Sequence, residues 1–173
     1  MKSLLVALVA TSMFAARPHG RPPNAAAAAR SRIQHNVVLL NTATRKRDVA
    51  GIMALMDPQF TQRSLRGVTI RYAAIKAMLQ AQFHEVRAVT TCTSRLTSFK
   101  FQGVRALTDM SQQIAGTINL PAGTPGFKPG RQPFSGSTVQ RIEWVKRGAE
   151  WKVLSSVMLR QQIKVSGKSI PTG

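Results

Sequence analysis

The ten residues EWVKRGAEWK, which run from 143 to 152, constrain the fold of this chain more than any other segment. They contain its only two tryptophans, seven residues apart, on either side of a glycine. Gly148 and Ala149 suit a two-residue type II′ turn, which takes glycine at its first position, and Arg147 and Glu150 then face each other as an opposite-charge pair. The segment therefore predicts a tight β-hairpin.

The register of this hairpin predicts one apolar and one mixed face, because residues directly opposite each other point to the same side of a sheet. The apolar face is predicted to carry Ile142, Trp144, Trp151 and Val153, followed by Ser155, Val157, Leu159 and Ile163. The mixed face is predicted to carry Arg141, Lys152, Leu154, Ser156, Met158 and Arg160. We interpret the tryptophan pair first as core packing, with ligand stacking as the alternative.

The amino terminus predicts export. Lys2 is followed by an uncharged apolar run to Ala16, which is too short to span a bilayer, and then by a segment rich in Pro, Gly and Ala. We interpret residues 1–29 as a signal peptide and disordered leader, so the protein is expected to be periplasmic or secreted. A buried helix over residues 4–14 is the alternative. The folded domain is expected over 30–165, with a flexible tail over 166–173 and no transmembrane segment in the mature chain.

The charge balance favours anionic partners. The chain has 25 Lys and Arg residues against six Asp and Glu, a net charge of +19, and three of the basic residues lie in the predicted leader. The remaining 22 basic and six acidic residues leave +16. Such a surface attracts polyanions, and outside the cytoplasm these are lipid headgroups or cell-wall polymers. The basic residues are dispersed, so a general basic bias without a specific partner is the alternative.

Cysteine and histidine usage argues against disulfide and metal chemistry. The single Cys92 excludes an internal disulfide, and its β-prone surroundings predict a small buried side chain. His19, His35 and His84 are scattered, without Cys or acidic neighbours at ligand spacing. We expect neither a metal nor a cofactor.

The order of predicted elements gives the fold class. Three helices come first. Ser31 is predicted to cap the first helix and Asp48 the second, and residues 72–83 are predicted to form the third. From residue 86 onward the pattern has period two, with strands near 88–101 and 104–118 that meet at Gln102 and Gly103, then a Pro- and Gly-rich loop over 119–136. This order predicts an α+β fold in which three N-terminal helices pack on one face of a curved, mostly antiparallel sheet.

Two segments resemble the nuclear transport factor 2-like (SnoaL-like) superfamily over about residues 31–163. They are LLNTATRKRDVAGIMALMDPQFTQRSLRG, with its acidic residue before a short helix, and the closing hairpin WVKRGAEWKVL. The resemblance implies a cone-shaped fold with a pocket between helices and sheet, and a homodimer formed through the outer sheet face. The superfamily includes enzymes and non-catalytic binding domains, so the fold does not give the function.

The chain departs from the catalytic patterns that the resemblance would imply. Ketosteroid isomerase-like members use a tyrosine on the first helix and two pocket carboxylates, whereas the only tyrosine here is Tyr72, on the third helix. The first helix offers Asn36 and Asn41 instead. Asp109 is the remaining candidate base, but the predicted register places it away from the aromatic residues. We expect Asp109 in a surface or interface salt bridge, with a pocket base as the alternative.

The candidate pocket residues follow from the predicted faces. Arg95 is predicted to share a face with Phe99 and Phe101, where it would orient an anionic ligand or else extend to the cone mouth. The full set of ligand-binding candidates is Tyr72, Arg95, Phe99, Ile142, Trp144, Trp151 and Val153. The predicted function is an exported, non-catalytic binding or accessory domain for a small apolar or anionic ligand. The alternatives are an isomerase-, dehydratase- or hydrolase-type acid–base enzyme acting on a small hydrophobic substrate, and a polyanion- or membrane-surface-binding module.

Overall fold

A computed structural model describes residues 24–170. Most of the segment predicted as signal peptide and leader, residues 1–23, lies outside this range, and so does the end of the predicted tail. Within the range, no helix combines the length and the apolar character that crossing a membrane would require.

Three helices precede most of the sheet: α1 (Asn24–Lys46), α2 (Val49–Ala54) and α3 (Tyr72–Glu85). The predicted start of α1 at Ser31 is wrong, because the preceding alanines, the best helix formers, extend the helix back to Asn24. Residues 24–29, assigned to the leader, are therefore helical, and Ala29 is buried. The predicted cap of α2 is confirmed, since the backbone N–H of Gly51 donates to Asp48 Oδ1 at 2.9 Å.

Eight strands form one sheet. They are β1 (Met56–Arg63), β2 (Thr69–Arg71), β3 (Val86–Leu96), β4 (Lys100–Gln102), β5 (Arg105–Leu120), β6 (Gly130–Arg147), β7 (Glu150–Val165) and β8 (Lys168–Ile170). The order is β2-β1-β7-β6-β5-β3, with β4 paired to β5 and β8 paired to β7. Among these described strands only β1 and β7 run parallel. The predicted α+β class, with helices on a mostly antiparallel sheet, is confirmed.

The predicted tryptophan hairpin is confirmed in its turn and its register. Arg147 pairs with Glu150 and Trp144 with Val153. Gly148 has a φ of 60°, and Ala149 is not in the left-handed region, as a type II′ turn requires. We call the tryptophan side of the sheet the inner face and the opposite side the outer face.

Two β-bulges change the predicted faces of β7. Glu143 pairs with Ser155, which leaves Leu154 unpaired, so that Ser156 lies opposite Ile142 on the inner face. The predicted sides of residues 155–158 are therefore reversed. A second bulge, at Leu159, returns Ile163 to the inner face where it was predicted.

The β4–β5 turn lies one residue later than predicted. Gln102 pairs with Arg105, so Gly103, with a φ of 78°, and Val104 form the turn. A turn at Gln102 and Gly103 would have set Lys100 opposite Arg105, a like-charge pair, whereas the observed register sets Lys100 opposite Leu107.

The second half of the sheet is longer than predicted. β5 and β6 stay paired as far as Leu120 and Gly130, so the loop predicted over 119–136 is confined to residues 121–129. Part of the predicted tail is also ordered, because β8 pairs with β7.

The core lies between the helices and the inner face. Its buried side chains are Ala29, Ile33, Val37, Met53, Phe60, Ile75, Ala106, Met110, Ile142, Trp144, Trp151 and Val153. The indole N–H of Trp144, the largest fully buried side chain of the described residues, donates to Thr108 Oγ1 at 3.0 Å and so has its hydrogen bond satisfied. Phe101 packs edge-on against Trp151, with ring centroids 6.3 Å apart.

Replacing Gly116 with alanine is expected to destabilise the fold by about 1–3 kcal/mol through overpacking. A Cβ there would lie 2.0 Å from the carbonyl oxygen of Ala88, a backbone atom held by the β3–β5 pairing. The control is Gly136→Ala, whose Cβ would come no closer than 3.3 Å to Ile114. Urea unfolding should show a clearly larger loss for Gly116→Ala, and equal stabilities would contradict this account.

Candidate functional site

The inner face brings together six of the seven predicted ligand-binding residues. Ile142, Trp144, Trp151 and Val153 are at most 6% exposed. Tyr72 and Phe99 are partly buried and pack against the same cluster. Helix α1 reaches this cluster directly, since Asn36 Nδ2 donates to the carbonyl oxygen of Trp151 at 2.7 Å. The tryptophans are thus confirmed as core residues, while ligand stacking by them stays a prediction.

Arg95 does not join these residues, and its predicted face is wrong. It pairs with Ser111, and its neighbour Leu96 pairs with the buried Met110, so the Arg95 side chain is exposed on the outer face. The physical reason is the break between β3 and β4 at residues 97–99, which uncouples Arg95 from the alternation of Phe99 and Phe101.

Beyond the tryptophans, the inner face becomes polar. Three rows of residues cross β5, β6 and β7: Thr108, Ile142 and Ser156; Met110, Gln140 and Met158; and Gln112, Thr138 and Gln161. All three members of the last row are half-buried. The rows thus present amide, hydroxyl and thioether groups, with no charged side chain among them.

A hydrogen-bonded cluster on β3 and α1 borders these rows. Ser94 Oγ donates to Asn41 Oδ1 at 2.7 Å, and Gln112 Nε2 donates to Ser94 Oγ at 3.2 Å. Cys92 is 2% exposed, and its thiol lies 3.5 Å from Asn41 Oδ1. Burial raises the pKa of Cys92, which keeps the thiol protonated and able to donate. The prediction of a small buried residue at Cys92 is confirmed.

Two buried hydroxyls on the inner face have no hydrogen-bond partner within residues 24–170. They are Thr138 Oγ1 and Ser156 Oγ, and Ser156 as a whole is 4% exposed. Buried polar side-chain atoms nearly always have a partner, either in the protein or in ordered water. An ordered water or a bound molecule would complete the hydrogen bonding of these two oxygens.

Sequence reasoning missed this polar part of the site. Simple alternation from Met110 would have placed Gln112 on the inner face, and that signal was available. The hairpin pattern predicts Ser156 on the mixed face, because no residue in the sequence indicates the bulge at Leu154.

Asp109 lies on the outer face in a salt bridge. Arg141 Nε donates to its Oδ1 at 2.8 Å, and the hydrogen bond from Arg141 lowers the pKa of Asp109 below its usual value. The salt-bridge interpretation is confirmed. The alternative role of Asp109 as a pocket base is not supported, because its side chain lies on the outer face.

The other five acidic residues also have structural partners or exposed positions. Asp48 caps α2, and Glu85 is exposed at the end of α3. Glu143 pairs with Arg105 on the outer face, and Glu150 pairs with Lys152. Residues 24–170 contain no group of three side chains able to hold a metal ion.

Asp57 is the one buried acid, at 1% exposure. It lies in β1, where its Oδ2 accepts from Arg147 Nε at 2.6 Å and its Oδ1 accepts from the backbone N–H of Gln59 at 2.9 Å. The hydrogen bond from Arg147 lowers the pKa of Asp57 despite its burial. The pair fastens β1 to the tryptophan hairpin.

Comparison with solved structures defines the fold. A type 2 hexachlorocyclohexane dehydrochlorinase superposes with a TM-score of 0.62 and 13% identity, over 85% of this chain and 96% of that one. A scytalone dehydratase-like protein from Novosphingobium aromaticivorans DSM 12444 gives 0.61 and 10%, over 78% and 87%. A nuclear transport factor 2-like protein from Cytophaga hutchinsonii ATCC 33406 gives 0.57 and 14%, over 75% and 95%.

The chain therefore has the nuclear transport factor 2-like fold, as the sequence resemblance predicted. At these identities the likeness concerns the fold alone. No family model and no curated protein matches the sequence. Proteins with this fold include enzymes as well as proteins of unknown function, so the function must be argued from the site.

Replacing Asp57 with asparagine is expected to cost about 1–3 kcal/mol at neutral pH, since a buried charged hydrogen bond is lost. The pKa of Asp57 is lowered by folding, so its contribution is complete above the unfolded value of about 3.9 and is lost as the pH falls through the folded value. The stability difference between wild type and variant should shrink below about pH 4.

The control is Asp109→Asn, which breaks a more exposed pair and should cost less than about 1 kcal/mol. Denaturant unfolding from pH 3 to pH 7 measures both variants. If the loss of unfolding free energy in Asp57→Asn stays the same over this pH range, the stabilising pair between ionised Asp57 and Arg147 is contradicted.

Proposed function

We propose that this protein binds a small, largely apolar and uncharged molecule on the polar rows of the inner face, without catalysing a reaction. The observation that carries the proposal is the Ser156 hydroxyl, which is buried and without a partner in the described part of the chain. A ligand hydroxyl or carbonyl placed over Ser156 would complete its hydrogen bonding, while the adjacent Ile142 would contact apolar atoms.

The surroundings of Ser156 support an uncharged ligand. The three inner rows offer Gln112, Gln140 and Gln161 as adaptable amide partners, which can donate or accept. Arg95, which would have favoured an anionic ligand, lies on the outer face. A charged ligand would lose its hydration on this face without gaining an opposite charge from the rows.

The positions of the acids support binding without acid–base catalysis. A general base must reach the proton that it removes, and no carboxylate stands on the three polar rows. Asp109 and Glu143 are engaged by arginines on the outer face, and Asp57 is engaged by Arg147. The dehydrochlorinase with this fold shows that the fold can host an enzyme. The polar rows of this chain carry no carboxylate that could act as a general base.

We also propose that the chain is exported, from the charged and apolar pattern of residues 1–16. The test is expression in a bacterial host with a periplasm, followed by fractionation and intact-mass measurement. The periplasmic protein should have lost a segment from within residues 1–29. A full-length protein recovered only from the cytoplasm would contradict the proposal.

Ser156→Ala is expected to lower the binding affinity for a hydroxyl-bearing ligand by about 2- to 10-fold, which is the effect of losing one net hydrogen bond. The probes are 1-naphthol and naphthalene, which share a ring system and differ in the hydroxyl. Thermal unfolding should show that naphthol stabilises the wild type more than naphthalene does, and that Ser156→Ala removes this difference.

The matched control is Ser155→Ala, one residue away on the outer face, where the hydroxyl donates to Glu143 at 3.2 Å. It should leave the preference for naphthol unchanged. Without a probe, Ser156→Ala should be as stable as the wild type or more so, because its hydroxyl has no partner to lose. Equal responses of the wild type to both probes would contradict the proposal.

A further inference from the structure

The outer face carries a trough that the proposed function does not use. It has a volume of about 290 Å³, crosses β3, β5, β6 and β7, and is lined by Thr91, Gln113, Ser135, Ser137, Gln162 and Lys164. Its shape follows from side-chain size. Ala115, Ser135 and Ser137 on the two middle strands are short, while Gln113 and Gln162 are longer.

Two arginines border this trough on one side, and one lysine lines it. Arg95 and Arg160 stand in one row across the sheet, on β3 and β7, and Ser111 and Val139 lie between them. Three strand spacings separate the two arginines, or about 14 Å. Lys164 lies four residues after Arg160 on β7 and lines the trough itself. None of the three has an acidic partner within residues 24–170.

The acids of this face cannot neutralise these cations. Its acidic residues on β5, β6 and β7 are Asp109, Glu143 and Glu150, and each is already paired with a basic residue, Arg141, Arg105 and Lys152 respectively. Residues 24–170 contain 22 of the 25 basic residues and all six acidic ones, which leaves a net charge of +16. The trough is therefore a hydroxyl- and amide-lined channel within a cationic surface.

We propose that this outer trough binds a linear anionic polysaccharide, with carboxylate or sulfate groups on Arg95, Arg160 and Lys164 and sugar hydroxyls on the Ser, Thr and Gln side chains. Guanidinium groups bind such oxyanions in bidentate geometry, and amides and hydroxyls both donate to and accept from sugar hydroxyls. A trough that crosses four strands suits an extended chain.

Other occupants fit this trough less well. Nucleic acid strands are commonly held by stacking on aromatic side chains, and no aromatic residue lines the trough. A membrane surface would favour apolar side chains that project outward, whereas this site is recessed and polar. A second copy packed through the same face, as the predicted homodimer requires, would bring unpaired Arg95 and Arg160 from both copies together.

The test compares two triple variants of equal net charge. Arg95→Glu, Arg160→Glu and Lys164→Glu change the trough, while Arg32→Glu, Arg66→Glu and Lys76→Glu change exposed cations elsewhere. Binding of fluorescent heparin and polygalacturonate oligosaccharides is measured by polarisation, with dextran as the uncharged reference. The trough variant should lose about tenfold or more in affinity, and the control variant less than about threefold.

Each other outcome would overturn the proposal. Equal losses in the two variants would show that only the total charge attracts these polymers. Tighter binding of a single-stranded oligonucleotide or of phosphatidylglycerol vesicles would assign the face to another partner. A wild-type dimer in native mass spectrometry that the trough variant abolishes, without any oligosaccharide binding, would make this face the homodimer interface. The inner-face probes report on Ser156 separately, so the two proposals fail independently.

Discussion

The burial of Trp144 under the helices is the interaction on which the rest of the structure depends. Its ring is 1% exposed, and its indole N–H is bound to Thr108, so one side chain ties β6 to β5 while it fills the space below α1. Trp151 completes the contact, since its carbonyl oxygen accepts from Asn36 of α1. The Asp57–Arg147 pair then adds β1 to the same hairpin.

The sequence predicted the elements well and the faces only in part. The type II′ turn, the Asp48 cap and the α+β order follow from local residue chemistry, and all three are confirmed. Arg95 and Ser156 were placed on the wrong sides, because a strand break or a bulge shifts every later side chain by one position. Such irregularities are set by the pairing of distant strands, and a local pattern carries little information about them.

Because local residue chemistry can be read from a sequence and strand register cannot, the sequence pointed to the tryptophans as candidate ligand residues and not to the polar rows. Large aromatic residues are conspicuous in a sequence, yet here they fill the core. Ser156 and Thr138 became visible only when the register showed that they are buried without a partner. The two faces of one sheet then have separate chemistries: the inner rows are uncharged, and the outer face carries unpaired cations.

The most direct test of the central claim is NMR of the chain with ¹³C-labelled methionine methyl groups in the presence of 1-naphthol. Met110 and Met158 flank Gln140 in the middle inner row, and Met78 is an exposed reference on α3. Because Met110 is buried in the core, binding on the inner face predicts nuclear Overhauser effects from the naphthol ring to the methyl group of the half-buried Met158. Contacts to Met78 alone, or to no methionine, would contradict ligand binding on the inner face.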